Sequence, residues 1–252
     1  MSTAASSPTH IVKLRGRREV AERTMAFEFE KPAGFVFKAG QFAELAWIDP
    51  PETDAEGDAR AFSIASAPGD ESLMFATRLR NTAFKRILLK APYGTLVRLE
   101  GPFGDLTLHN KASRPAVLMA GGIGITPFRS IVRRAAQEKL AHRILLFYAN
   151  RRPGDAPFLE EMESLAIANP NFTFVPVMTA VSRIDRSWNG ETGHFSPEMV
   201  TAHVNRVVSG ASAASPIYYV AGPPRLVAGT RAMLNDAGID DDDIRAEEFE
   251  GY

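Results

Sequence analysis

Two short runs in this 252-residue chain have residue types and spacing that suit chemistry. In one, the apolar AVLMA at 116–120 leads into Gly121, Gly122, Ile123, Gly124, Ile125, Thr126 and Pro127, and a segment with Ile131, Val132 and Ala135 at helical spacing follows. A strand, a glycine loop and a helix in that order let backbone amides approach a pyrophosphate, and a helix N-terminus adds partial positive charge. Pro127 stands where a third glycine is usual, and proline suits a first helical turn because its missing N–H costs nothing there. Glycine also serves any tight strand-to-helix turn for steric reasons alone, so this run is ambiguous by itself. A second turn of the same kind, Ala221, Gly222, Pro223 and Pro224, tips the balance. In a doubly wound sheet both turns fall at the carboxyl ends of strands, where ligands bind.

In the other run, Arg60, Ala61, Phe62 and Ser63 lie on one predicted strand, with Arg60 and Phe62 on a shared face. Arginine there can hold a phosphate, an aromatic ring can stack on a flat heterocycle, and a serine hydroxyl can hydrogen-bond a ring nitrogen. Taken alone, the four residues fit an ordinary half-buried strand better.

Composition narrows the field. The 30 acidic and 29 basic residues nearly cancel, which leaves no positive field for nucleic acid. There is no cysteine, so disulfides, thiolate catalysis and Cys-ligated iron–sulfur or zinc sites are excluded. The five histidines have no HxH or HxxxH spacing, and no metal site is expected. No apolar run approaches the ~20 residues that span a bilayer. The opening MSTAASSP has neither the basic start nor the apolar stretch of a secretory signal, which points to the cytoplasm.

The elements that must position these runs change grammar part-way along the chain. From Ile11 to about Leu108, short alternating strands at 25–30, 41–48, 60–66, 73–79 and 95–101 predict a small antiparallel barrel. One helix interrupts it, built on Phe84, Ile87, Leu88 and Ala91 and capped by Asn81 or Thr82. After a polar linker, NKASRP at 110–115, buried strands alternate with amphipathic helices, and that pattern implies a parallel, doubly wound sheet. A helix is expected from Pro127, and segments 180–194 and 208–215 read as loops. The prediction is two domains, 8–110 and 115–252.

RAFS at 60–63, GPFG at 101–104, GGIGITP at 121–127, AGPP at 221–224 and EEFEGY at 247–252 occur in an order that resembles the ferredoxin-NADP reductase superfamily across nearly the whole chain. The resemblance implies an FAD-binding Greek-key barrel, a nicotinamide-binding α/β domain with a doubly wound parallel sheet, and a reaction centre between them. Through it, Arg60 would bind the flavin pyrophosphate, Phe62 would stack on the isoalloxazine, Ser63 would bond its N5 edge, and Thr82 would add a hydroxyl and amides to the pyrophosphate. Gly121, Gly122, Gly124 and Thr126 correspond to the NAD(P)H loop, with Gly222 and Pro223 beside the nicotinamide. Glu247 and Phe249 correspond to a C-terminal carboxylate and an aromatic, two residues apart and so on one strand face. The chain departs from the pattern in three places. Phe62 stands where many relatives have tyrosine, Ala221 where a cysteine is common, and three residues follow Phe249, so either Phe249 or Tyr252 covers the flavin.

The activity so implied is transfer of hydride from NAD(P)H to FAD, with Ser63, Glu247 and Phe249 at the reacting rings. Electrons then pass to a separate ferredoxin, flavodoxin, oxygenase component or small molecule. Arg151 and Arg152, after the second strand of the α/β domain, could clasp the 2′-phosphate of NADPH as a pair, with Ser182 and Arg183 as a further pair. A non-catalytic flavin-binding subunit of a larger complex is the alternative, disfavoured by the missing cysteine cluster.

Overall fold

Alternating burial shapes the first half of the chain. The computed structural model describes residues 8–180, 188–208 and 214–249. Its first six strands are β1 (Thr9–Ala21), β2 (Thr24–Glu30), β3 (Phe42–Trp47), β4 (Ala59–Ser63), β5 (Ser72–Arg78) and β6 (Leu96–Phe103), with helix α1 (Ala83–Lys90) before the last of these. They pair antiparallel in the order β4-β3-β6-β1-β2-β5. Inward residues such as Leu14, Phe27, Phe29, Leu45 and Phe75 form one core, and α1 plugs it with Phe84 and Leu88. The two end strands nearly meet, because the N–H of Ala65 donates to the Met74 carbonyl at 2.7 Å and that of Met74 to Ser66 Oγ at 3.0 Å. The result is the expected small barrel, closed at that seam by the chain just beyond Ser63.

All five expected strands are present, although β4 stops at Ser63 rather than continuing to 66. The sequence reading missed β1. That strand is 13 residues long, and beyond Leu14 its polar residues and Gly16 blur the alternation. It pairs with β6 along its first part and with β2 along the rest, with register shifts on either side of the β2 pairing, and so bends the sheet round.

The second half holds β7 (Ala116–Gly121), α2 (Ile125–Gln137), β8 (Ile144–Asn150), α3 (Leu159–Ala168), β9 (Phe172–Met178), β10 (Glu191–Thr192), α4 (Pro197–Val208), β11 (Ile217–Gly222), α5 (Pro224–Asp236) and β12 (Ile244–Glu248). All its strand pairs are parallel, in the order β10-β9-β8-β7-β11-β12, which is the doubly wound architecture expected. Two details differ. Helix α2 starts at Ile125, so Pro127 lies inside the first turn, where an absent N–H still breaks no helical bond. Glu191 and Thr192, expected in a loop, add a short edge strand beside β9. Helices α2 and α3 pack on the sheet face toward the barrel, and α4 and α5 on the other.

The halves share a core. Ala26, Ala39, Ala65, Met74 and Ala76 of the barrel side pack in one cluster with Ile125, Phe128 and Ile131 of α2, and the small side chains let the helix approach closely. The linker is fastened as well. His109 N–H donates to the Tyr219 hydroxyl at 3.0 Å, and its Nδ1 lies 2.8 Å from that oxygen. Its Nε2 is 2.9 Å from the Arg114 carbonyl. A neutral ring protonated on Nε2 satisfies every one of these contacts, and burial lowers the His109 pKa accordingly.

Polar contacts complete the seam. The Arg129 side chain is 4% exposed. Its Nη1 donates to the Ala65 carbonyl at 2.6 Å, Nε and Nη2 each reach Glu161 at 2.8 Å, and the guanidinium lies 4.6 Å from the Phe158 ring centroid. Ser130 Oγ donates to the Ser66 carbonyl at 2.6 Å, and Arg133 bridges Glu161 to Asp70 of the barrel. Burial alone would push Asp70 up, but hydrogen bonds from Arg133, Gln137 and the Ala67 N–H outweigh it and hold the carboxyl below its ordinary range. We expect Arg129→Ala to lower the unfolding free energy by about 3 kcal/mol in urea melts, because it strands a buried carbonyl and part of a carboxylate. A loss under about 1 kcal/mol would mean that the Arg129 contacts add little to the seam.

Candidate functional site

A cavity of about 440 Å³ opens between β4, β5 and the start of α1 on one side, and Ile123, Thr126 and the C-terminal residues 247–249 on the other. Its floor is apolar, with Phe62 of β4 tilted against Phe75 and Phe84 at centroid distances of 6.4 and 5.8 Å. Ser63, the last residue of β4, is 4% exposed, lines the cavity, and its Oγ has no hydrogen-bond partner. Leaving a buried hydroxyl unpaired costs about 1–3 kcal/mol, so the atom is suited to a ligand that supplies the missing bond. A flat heterocycle with a ring nitrogen at its edge meets both requirements, the apolar wall and the lone hydroxyl.

From the second half, Glu247 and Phe249 line the same space. The Phe249 N–H donates to the Gly222 carbonyl at 3.0 Å, and that bond ties the end of β12 to the second glycine turn. Gly222 has a φ of +155°, a conformation open to glycine and strained for other residues. Burial, with the nearby Asp105 carboxylate, pushes Glu247 up to about 7. A carboxyl half-protonated at neutral pH beside an apolar cleft can hold or release a proton there. Burial acts oppositely on Lys85, which with Arg80 and Arg60 nearby is pushed down to about 8.

The phosphate-seeking groups are arranged less simply. Thr82 caps α1, its Oγ1 accepting the Lys85 N–H at 3.4 Å, and lines the cavity as expected. Arg60 also lines it, but its guanidinium donates to the Glu56 and Ala59 carbonyls at 2.8 and 2.6 Å and pairs with the Glu56 carboxylate at 2.9 Å. Arg78, Arg80 and Lys85 line the cavity too, and the sequence reading missed them. The signal was the cationic ATRLR stretch running off β5 just before α1.

Gly121 and Gly122 line a second cavity, about 530 Å³, together with Arg151, Pro223, Arg225 and Thr230. Arg78 borders both spaces. Gly124 lines neither, and its task is contact. A Cβ there would fall 2.3 Å from the Ala221 carbonyl oxygen and 2.7 Å from Gly222 Cα, so the two glycine turns touch at this point. Thr126 turns its hydroxyl to the Ile123 carbonyl at 2.9 Å and faces the first cavity. The proposed arginine pair is split: Arg151 lines the second cavity, whereas Arg152 is drawn by Asp155, 3.6 Å away, at 63% side-chain exposure. Ser182, Arg183 and Tyr252 lie outside the described residues.

Residues 118–232 match the family described as oxidoreductase NAD-binding domain. Over 236 residues the chain is 29% identical to ferredoxin–NADP reductase B of Sorangium cellulosum (strain So ce56), covering 90% of this chain and 91% of that one. It is also 29% identical over 218 residues to the phenol 2-monooxygenase reductase component of Pseudomonas sp. (strain CF600), covering 84% of this chain and 58% of that longer protein. A ferredoxin NADP+ reductase from Neisseria gonorrhoeae, solved with bound FAD and NADP, superposes with a TM-score of 0.76 over 95% of this chain and 98% of that one, at 22% identity. The chain thus carries an oxidoreductase NAD-binding domain over residues 118–232 and is similar along most of its length to ferredoxin–NADP reductases and oxygenase reductase components.

Contact between the two glycine turns carries a direct consequence. Gly124→Ala is expected to lower stability by about 1–3 kcal/mol, since both opposing groups are backbone and cannot swing away. An unchanged denaturation midpoint would mean that the turns separate freely.

Proposed function

We propose that this chain takes hydride from NAD(P)H onto FAD and hands the electrons to a separate acceptor: a ferredoxin, a flavodoxin, an oxygenase component or a small molecule. The observation that carries the proposal is the partnerless Ser63 hydroxyl, buried in a cavity whose opposite wall is Glu247 and Phe249. We assign residues 8–110 to flavin binding and 115–252 to NAD(P)H binding. The family match over 118–232 and the named activity of the Sorangium relative support this reading.

When bound, flavin supplies a carrier that takes two electrons together and releases them singly. The protein's own part is placement. Phe62 offers a flat apolar surface and Ser63 donates a hydrogen bond at the ring edge. Phe249 lines the cavity opposite β4 and would turn aside to admit a nicotinamide. Gly121, Gly122 and the start of α2 would hold the dinucleotide's phosphates, with Gly222 and Pro223 placed toward its nicotinamide. Glu247, its carboxyl raised by burial, would hold a proton at the cleft wall. Arg151 meets the adenosine end, where a 2′-phosphate would distinguish NADPH from NADH. Tyr252 remains a candidate cover for the flavin. No helix among the described residues is long and apolar enough to cross a membrane, and we place the reaction in the cytoplasm.

Anaerobic titration of the flavin-loaded protein with NADH and NADPH, followed at the flavin band near about 450 nm, tests the proposal. Bleaching supports it, and a loaded protein that neither nucleotide reduces defeats it. Ser63→Ala is expected to slow that reduction by about tenfold or more while flavin stays bound. The reduction rate should also titrate with an apparent pKa near 7, set by Glu247. Glu247→Gln, which cannot ionise, should flatten that profile, and a profile unchanged in the variant would assign the proton elsewhere. Arg151→Ala is expected to raise KM for NADPH about tenfold and leave that for NADH nearly unchanged.

A further inference from the structure

Within the proposed flavin site, the groups best suited to a flavin's phosphates are already engaged by carboxylates of this chain. Asp54 Oδ2 accepts the N–H of Ala83, the first residue of α1, at 2.5 Å. The same carboxylate lies 3.6 Å from Arg60 Nη2, and the Glu56 carboxylate takes that nitrogen at 2.9 Å. Asp54 Oδ1 also accepts the Glu56 N–H at 3.0 Å, which fixes the turn that presents both acids. One step back, Glu52 grips Arg86 of α1 with both carboxylate oxygens. Acids at 52, 54 and 56 thus dock on α1 and Arg60 in the way a dianion would, through a helix N-terminus and a guanidinium.

The other end of the cavity is open. Ser63 Oγ is buried without a partner, and Phe62 offers its face. A flavin's ring system can enter there and displace nothing, whereas its phosphates would have to compete with Asp54 and Glu56 for Ala83 N–H and Arg60. The backbone bond from Ala83 also holds the Asp54 carboxyl below its ordinary range, so it stays ionised at neutral pH. Displaced carboxylates would remain tethered close by and repel an incoming phosphate. Arg78, Arg80 and Lys85 line the same cavity and still attract one.

We propose that segment 52–56 is a built-in substitute for the flavin pyrophosphate. The site therefore selects on the isoalloxazine and ribityl parts, and FAD, FMN and riboflavin bind as exchangeable ligands with similar affinity. The proposal rests on the flavin reading above and goes beyond it in naming which part of the flavin is recognised and in making flavin a ligand that comes and goes.

The test is a set of dissociation constants for riboflavin, FMN and FAD, read by flavin fluorescence and calorimetry on flavin-stripped full-length protein and on the Asp54→Asn/Glu56→Gln double variant. The wild type is expected to favour FAD over riboflavin by less than about tenfold, and the double variant to raise that preference by a further tenfold or more with the riboflavin constant unchanged. The single change Asp54→Asn, which keeps the shape of the turn, should move the preference part of the way. Tight FAD retention by the wild type, with a ratio that neither variant alters, would overturn the substitute while leaving the flavin site standing. Failure of all three flavins to bind either form would overturn the flavin reading itself, and the substitute with it.

Discussion

Everything the cleft can do depends on one buried guanidinium. Arg129 sits in α2, one turn beyond the glycine loop, and its Nη1 is bonded to the carbonyl of Ala65, two residues beyond Ser63. The neighbouring Ser130 makes the matching bond to the Ser66 carbonyl. The two motifs that carry chemistry, one in the barrel and one in the α/β half, are therefore fastened to each other immediately behind their working residues. A buried arginine needs its charge balanced and its donors filled. Glu161 of α3 and the Phe158 ring meet that need, which draws the next helix into the same junction. Phe158 has a left-handed backbone, φ 60°, immediately ahead of α3, a local strain that the packing around Arg129 holds in place. These contacts join the two halves, and Ser63 and Glu247 line one space between them.

The sequence made the local parts of this arrangement legible and left the long-range parts dark. The glycine turns, the α1 cap at Thr82 and the strand bearing Arg60 to Ser63 are each contained within a few consecutive residues, where turn chemistry and periodicity act directly. Strand β1 was invisible because its role is to span two pairings, which its own alternation does not encode. Arg152 read as a partner of Arg151 on adjacency alone, yet the turn after β8 sends it to Asp155, and only the fold decides between them. The same holds for Asp54 and Glu56. In sequence they are acids in a polar loop, and only docking on α1 and Arg60 turns them into occupants of an anion site. Arg129 itself carries no signal, since an arginine on an amphipathic helix reads as solvent-exposed.

Burial moves two titratable side chains that line the first cavity in opposite directions and toward the same result. Desolvation penalises whichever form is charged, so Glu247 rises to about 7 and Lys85 falls to about 8. Near neutral pH each can be neutral at a modest free-energy cost. The contribution of Asp105 to Glu247 comes from the barrel side, so the acid's proton affinity depends on the two halves remaining docked.

The C-terminal strand limits how such a site can open. Glu248 is in register with Gly222 in the β11–β12 ladder, and the Phe249 N–H is bonded to the Gly222 carbonyl. Backbone pairing therefore persists up to Phe249, which lines the cavity. Displacing the strand to admit a second ring would break that ladder and disturb Gly222, whose backbone also packs against Gly124 in the other glycine turn. Rotation of the Phe249 side chain breaks none of these bonds. That side chain can then move on the fast timescale of side-chain rotation while both glycine turns keep their shape. Opening one face of the cavity thus leaves both glycine turns intact.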